Sequence, residues 1–133
     1  MKNKVALVCS NYYENITEEL INGAKDKLDP SFDVEVFLVD GAWELIYKIN
    51  QLSKNNSFDK FIAIGVIVKG DTDHYEYISK GVTDGLINLT IHNNIYIANC
   101  VLNVLNLKQA NERISDNKNK GSEAATALNN LFL

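Results

Sequence analysis

The sequence is poor in the residues from which metal sites and disulfide bonds are built. Its 133 residues include two histidines and two cysteines, and Asp, Glu and His show no repeated spacing. Cys9 and Cys100 lie far apart, each inside an apolar run of strand length. We therefore expect two reduced core cysteines and no structural or catalytic metal.

The sequence also lacks a long apolar segment and a basic stripe. The first residues, MKNK, pass straight into VALVC, which is too short an apolar run for a signal peptide or a membrane span. The 17 acidic and 13 basic residues give a net charge of −4 with no basic cluster, and binding of a phosphate backbone needs such a cluster. These absences predict a cytoplasmic protein whose partners include neither a membrane nor a nucleic acid.

The composition is sufficient for one hydrophobic core. Hydrophobic residues make up 46% of the chain, and the length is near the commonest size of a domain. We expect a single domain over residues 1–133.

Short apolar runs alternate with amphipathic segments along the chain. The predicted strands are residues 5–10, 34–39, 61–68 and 95–102. A helix is expected after each of the first three strands, and two further helices are expected at residues 107–113 and 123–131. The first helix is expected to open with a capping box at residues 15–18, NITE.

Strands that are apolar on both faces indicate a parallel sheet covered on both sides. The predicted fold class is therefore α/β, a three-layer flavodoxin-like fold with a four-stranded parallel sheet flanked by helices. Such sheets bind ligands outside the carboxyl ends of their strands. Functional residues are expected in four segments, residues 10–15, 40–44, 69–74 and 99–106.

The loop at residues 69–74, KGDTDH, has the composition of an anion site. Lys69 ends a strand, Gly70 lets the backbone turn, and the residues that follow are suited to opening a helix. Exposed N–H groups at a helix start, beside a lysine, could hold a phosphate if the carboxylates of Asp71 and Asp73 point away. The alternative is an ordinary capped helix start.

His74 is the best candidate for proton transfer. It is the only histidine predicted at the carboxyl edge of the sheet, and imidazole titrates near neutral pH. The alternative is a structural histidine, since the dipole of a helix start disfavours its charged form. His92 is predicted at the exposed end of the same helix.

Other candidate binding residues lie in the remaining segments. Small residues at 41–42 let a ligand approach the backbone, and Glu44 after them could accept hydrogen bonds from hydroxyl groups. Tyr12 and Tyr13 offer flat faces for stacking on a heterocycle, and Arg113 could clamp a phosphate. The alternatives are packing for Trp43 and the tyrosines, a favourable first-turn charge for Glu44 and an exposed ion pair for Arg113.

Two known classes with this architecture do not fit. A phosphoacceptor receiver needs acidic residues after its first strand and an aspartate that ends its third, whereas this chain has Cys9-Ser10-Asn11 and Val68-Lys69 there. A flavodoxin needs a Thr, Ser and Gly-rich phosphate loop after its first strand, and residues 10–15 contain no glycine.

Taken in order, the segments resemble the 6,7-dimethyl-8-ribityllumazine synthase family of riboflavin biosynthesis. Residues 40–45, DGAWEL, are similar to the family's Pro-Gly-Ala-Phe-Glu run, and residues 65–77 are similar to its Gly-x-Val-Ile-Arg-Gly-x-Thr-x-His-Tyr-x-Tyr run. Residues 109–113, QANER, and 119–125, NKGSEAA, match the family's C-terminal helices. The resemblance covers nearly the whole chain.

The resemblance implies an enzyme without a cofactor and with small-molecule substrates. The implied reaction condenses 5-amino-6-(D-ribitylamino)uracil with 3,4-dihydroxy-2-butanone 4-phosphate, releasing phosphate and water. It implies that His74 transfers protons. It also implies phosphate contacts at Asp71, Thr72 and Arg113, pyrimidine stacking on Tyr12, ribityl contacts at Ala42, Trp43 and Glu44, and ring contacts from the backbone of Val66, Ile67 and Val68.

The chain departs from the family pattern around the pocket. Asn99 stands where the family has an aromatic residue on the fourth strand, and Lys69 replaces an arginine. Asp71 is an acidic variant at the phosphate-facing position, and residues 11–13, NYY, replace the usual Arg-Phe-Asn. Asn99 and the changed first loop favour the alternative function, a catalytically weak relative that binds a flavin or lumazine as a carrier or structural protein.

The resemblance also implies an oligomer. Family members assemble as pentamers, some of them as icosahedral shells, with active sites shared between neighbours. Residues 115–119, SDNKN, lack the glycines of the usual shell-forming loop. We therefore expect a homopentamer in which Arg113 reaches a neighbouring subunit's site.

Overall fold

The computed structural model describes residues 3–55, 58–115 and 117–133. Strands and helices alternate through the first three βα units, and two helices follow the last strand. The elements are β1 Lys4–Ser10, α1 Glu14–Lys27, β2 Asp33–Val39, α2 Glu44–Asn55, β3 Lys60–Val68, α3 His74–Asn93, β4 Tyr96–Val104, α4 Leu107–Glu112 and α5 Lys120–Phe132. Every strand and helix predicted from the periodicity is present.

The four strands form one all-parallel sheet in the order β2-β1-β3-β4. The pairing of Cys9 with Leu38 and Ile64, and of Ile64 with Cys100, fixes the register across the sheet. Helices cover both faces, which confirms the predicted flavodoxin-like α/β fold. In the described part of the chain, no helix is long and apolar enough to cross a membrane.

The helices bury the two faces of the sheet in separate hydrophobic clusters. On β1, Leu7 belongs to the cluster that includes Leu20 of α1 and Leu128 of α5. The next residue, Val8, belongs to the cluster that includes Leu45 of α2 and residues of α3. Because successive side chains of a strand point to opposite faces, a continuous apolar run supplies both layers.

The two cysteines are core residues, as predicted. Both thiols are buried on the α1 and α5 side of the sheet. Burial raises the pKa of Cys9 to about 12 and that of Cys100 to about 12. Both therefore stay protonated and unreactive at neutral pH.

The predicted capping box at residues 15–18 is wrong. The helix begins at Glu14 with Tyr13 at the N-cap, which forms no side-chain capping bond with the described residues. Thr17 instead faces the interior, where its Oγ1 donates to the carbonyl oxygen of Ser10 at 2.7 Å. This bond gives the last carbonyl group of β1 a hydrogen-bond partner and fixes α1 against the carboxyl edge of the sheet.

Helices α1 and α5 pack closely because of glycine at their contact. A Cβ on Gly121 would overlap the carbonyl oxygen of Leu20, and one on Gly23 would overlap the side chain of Asn119. The Asn119 amide bridges the helices by donating to the carbonyl oxygen of Glu19 at 3.0 Å. The glycines therefore set the distance at which α5 covers the sheet.

Replacing Gly121 by alanine is expected to lower the free energy of unfolding by about 2 kcal/mol, measured in urea. The added methyl forces the two backbones apart, and the loss exceeds the roughly 1 kcal/mol that alanine gains in helix propensity. Gly70→Ala is the matched control, because no described atom lies within 4 Å of its Cβ position. Equal effects of the two substitutions would contradict the packing argument.

Candidate active site

The carboxyl edge of the sheet carries a cleft of about 580 Å³. The loops that follow β1, β2 and β3 border it. The lining residues are Tyr12, Tyr13, Gly41, Ala42, Trp43, Glu44, Val66, Ile67, Val68, His74 and Ile78. These residues meet because parallel neighbouring strands all end at one edge.

The turn between β2 and α2 forms one wall of the cleft. The Glu44 N–H donates to the carbonyl oxygen of Gly41 at 3.1 Å, which begins the helix. Ala42 points into the core, whereas the side chains of Trp43 and Glu44 are exposed. The Trp43 ring also lies against Gly81 of α3, where a Cβ added to the glycine would be 3.1 Å from the Trp43 Cζ3. Trp43 therefore both packs between helices and faces the cleft.

His74 and Ile78 of α3 form the opposite wall, and the loop between β3 and α3 leads to it. The Lys69 N–H donates to the carbonyl oxygen of Val104 at 3.0 Å, which ties the loop to β4. The Thr72 hydroxyl oxygen accepts from the His74 N–H at 3.2 Å, whereas the N-cap residue Asp73 makes no side-chain capping bond with any described group. All of residues 69–74 are exposed, so a ligand can reach this loop.

Two tyrosines lie after β1. The rings of Tyr12 and Tyr13 meet edge to face, with centroids 5.0 Å apart and planes at 76°. Tyr13 packs against the core, whereas Tyr12 is 74% exposed. Tyr13 thus supports a ring whose face is open to the cleft.

The floor of the cleft is the part of β3 that extends beyond β1. Pairing with β4 continues to Val68, but pairing with β1 ends at Ile64. Because the Lys69 N–H points toward β4, alternation along the strand turns the N–H and C=O groups of Val66 and Val68 toward the open side. The side chains of Val66 and Ile67 are buried, so β3 offers a ligand its backbone.

Asn99 and Arg113 line a different cavity. This second cavity, of about 410 Å³, lies between β4 and α5 and includes Lys120 and Glu123. The Asn99 Oδ1 accepts from the Val101 N–H at 3.0 Å. Within one chain, neither Asn99 nor Arg113 joins His74.

Comparisons with known proteins show the family of the chain. A family model described as 6,7-dimethyl-8-ribityllumazine synthase matches residues 2–132. The chain belongs to this family. It is 38% identical to a 6,7-dimethyl-8-ribityllumazine synthase of Buchnera aphidicola subsp. Baizongia pistaciae, across 96% of this chain and 84% of that protein. It is 32% identical to those of Limosilactobacillus reuteri, across 97% and 85%, and Campylobacter jejuni, across 94% and 84%.

The first cleft contains most of the residues that the lumazine synthase resemblance assigned. Those in its lining are Tyr12, Ala42, Trp43, Glu44, Val66, Ile67, Val68 and His74. Asp71 and Thr72 lie beside it in the loop before α3. Asn99 and Arg113 are separated from it and line the second cavity. The roles of all these residues in a lumazine synthase stay predictions.

Ile78 lines the cleft although the sequence did not indicate it. Ile78 follows His74 by one helical turn, a spacing that places both on one face of α3. An apolar residue at helical spacing is typical of a core position, so the sequence carries no separate signal for a cleft wall. In the described ranges 3–55, 58–115 and 117–133, no group of three His, Cys, Asp or Glu side chains is arranged to hold a metal ion.

Proposed function

We propose that the chain condenses 5-amino-6-(D-ribitylamino)uracil with 3,4-dihydroxy-2-butanone 4-phosphate to give 6,7-dimethyl-8-ribityllumazine, phosphate and water. This is the penultimate step of riboflavin biosynthesis. The observation that carries the proposal is that residues 41–44 of the turn after β2, residues 66–68 of β3 and His74 line one cleft. These are the parts in which the family resemblance is most specific.

The pyrimidine ring is proposed to bind between Tyr12 and the end of β3. The exposed face of Tyr12 suits stacking, and the open N–H and C=O groups of Val66 and Val68 suit the amide groups of a uracil. The ribityl chain then runs toward the α2 turn, where the Glu44 carboxylate is exposed and accepts hydrogen bonds from hydroxyl groups.

The phosphate is proposed to bind at the start of α3. This 20-residue helix directs its first N–H groups and the positive end of its dipole toward the loop. Lys69 and an Arg113 from a neighbouring subunit add positive charge. His74, the first residue of α3, stands between this anion site and the ring site, where the amine attacks the ketone and protons must be moved.

A homopentamer with shared active sites is part of the proposal. The separation of Arg113 from His74 supports it, because a second copy can supply what one chain lacks. Large exposed apolar side chains, which include Tyr47, Tyr77, Ile87 and Ile91, also support an interface. The proposed location is the cytoplasm, and no cofactor, membrane or nucleic acid takes part.

The test is to mix the purified protein with both substrates and to follow the absorbance of the lumazine. We expect a rate well above that of the spontaneous reaction, and light scattering is expected to give the mass of five chains. A rate equal to the spontaneous one would overturn the proposed enzymatic activity. Tight lumazine binding without turnover would favour a carrier, which no observation on the structure supports.

Replacing Asp71 by asparagine is expected to lower the KM for the butanone phosphate about fivefold, measured from initial rates. The Asp71 side chain is exposed in the loop before α3, where its negative charge opposes the phosphate. Asp26→Asn is the matched control, since Asp26 is an exposed aspartate near the far end of α1. An unchanged KM in Asp71→Asn would mean that the phosphate binds away from this loop.

A further inference from the structure

Arg113 is carried by a very short helix. Helix α4 has six residues, and Arg113 follows its last residue as the C-cap. A helix of this length is not stable by itself, because nucleation costs more than a few hydrogen bonds return. The position of Arg113 therefore depends on the contacts that hold α4 in place.

Gln109 makes two local contacts that fix the start of α4 next to the end of β4. The Asn106 Oδ1 accepts from the Gln109 N–H at 2.9 Å, which caps the helix. The Gln109 Oε1 in turn accepts from the Leu105 N–H at 2.7 Å. Leu105 follows Val104, the last residue of β4, which is paired with β3. The Gln109 amide thus fixes the helix start to the end of a paired strand.

Gln109 also contacts the guanidinium group. Its backbone carbonyl oxygen accepts from the Arg113 Nη1 at 2.8 Å. One of five guanidinium donors is used in this bond, and the planar group is thereby oriented while its other donors stay available. The backbone of Arg113 is held as well, because its carbonyl oxygen accepts from the Lys120 N–H at 2.9 Å.

We propose that Gln109 is the positioning residue for Arg113, and that it sets the affinity of the site for the phosphate of the substrate. Its side chain fixes the start of α4 next to β4, and its backbone carbonyl oxygen orients the guanidinium group of Arg113. This inference rests on the proposed function, in which Arg113 binds phosphate in a neighbouring subunit's site. A binding group that reaches across an interface must be held accurately, since a displacement of about 1 Å can cost up to about 100-fold.

The test replaces Gln109 by methionine, which has a similar volume and good helix propensity but no strong acceptor for the Leu105 N–H. The KM for the butanone phosphate is expected to rise about 10-fold, and the KM for the ribitylaminouracil is expected to stay within about twofold. Gln109→Glu keeps an acceptor and is expected to lie closer to the wild type. Gln51→Met, on α2, is the matched control.

A double-variant cycle separates positioning from a general structural effect. In an Arg113→Ala background, Gln109→Met is expected to cause no further rise in the KM for the phosphate substrate, because its effect passes through Arg113. An equal rise for both substrates, or additive effects of the two substitutions, would overturn the inference. If Gln109→Met does not fold, the same cycle is run with Gln109→Ala, which also removes the acceptor and keeps helix propensity, and additive effects there count against the inference equally. A wild-type protein without turnover would instead overturn the proposed function.

Discussion

Replacing His74 by alanine is expected to lower kcat by about 100-fold, as measured by the appearance of lumazine at saturating substrate concentrations. His74 lines the cleft with the exposed end of β3 and begins the helix whose N-terminus faces the proposed phosphate site. The condensation needs proton transfers at several steps. Without the imidazole, water must perform them, while substrate binding by the surrounding residues persists. The KM values are therefore expected to change little.

His92→Ala is the control for this prediction. His92 is the other histidine of the chain, and it lies exposed in the last turn of the same helix. Its replacement removes an imidazole without altering the cleft, so the rate is expected to equal that of the wild type. If the two variants had equal rates, His74 would be a structural residue at a helix start, and proton transfer would need another group.

Replacing Arg113 by alanine is expected to raise the KM for the butanone phosphate by about 100-fold, because a charge-assisted contact to phosphate is lost.

The separation of Arg113 from His74 leads to a second expectation, that two inactive variants complement each other in a mixed oligomer. An oligomer of either variant alone has no complete shared site. In a mixed oligomer, a subunit of the Arg113→Ala variant supplies His74, and a neighbouring subunit of the His74→Ala variant supplies Arg113. Random mixing in equal amounts gives about one such site in four.

The mixing experiment uses the two purified variants, dissociated and reassembled together. At a butanone phosphate concentration near the wild-type KM, activity is expected to recover in the mixture and not in either variant reassembled alone. Lys108→Ala serves as the control, because Lys108 is an exposed cation on α4, the short helix that Arg113 follows. A mixture as inactive as its components would show that Arg113 does not complete a neighbour's site.

The fold was predictable because its signals are local and agree with one another. The strands are apolar on both faces and the helices apolar on one, which leaves a covered parallel sheet as the consistent arrangement. The error at residues 15–18 has a physical cause. The helix begins at Glu14, before the predicted cap Asn15, and Thr17 in its first turn bonds to the carbonyl group of Ser10, a contact that the local sequence does not reveal.

The candidate site was predictable to the extent that sheet geometry determines it. Loops after parallel strands meet at one edge, so the turn at residues 40–44 and the loop at residues 69–74 had to be neighbours. The side on which α4 places Arg113 depends instead on tertiary contacts, among them the burial of Ala110 in the core and the bond from the Lys120 N–H to the Arg113 carbonyl oxygen. Ile78 shows the reverse difficulty, since an apolar residue at helical spacing gives the same signal in a core and in a cleft wall.

The outer edge of β4 differs from an ordinary free edge. The Val101 N–H donates to Asn99 and the Val101 carbonyl oxygen accepts from the Asn103 Nδ2 at 3.2 Å, while the Leu105 N–H donates to Gln109. A strand from another molecule would have to displace these amides before it could pair there. The sheet is therefore protected from growth by strand addition on the side that carries Arg113, and copies of the chain can meet on that side through side chains without the risk of fibril-like pairing.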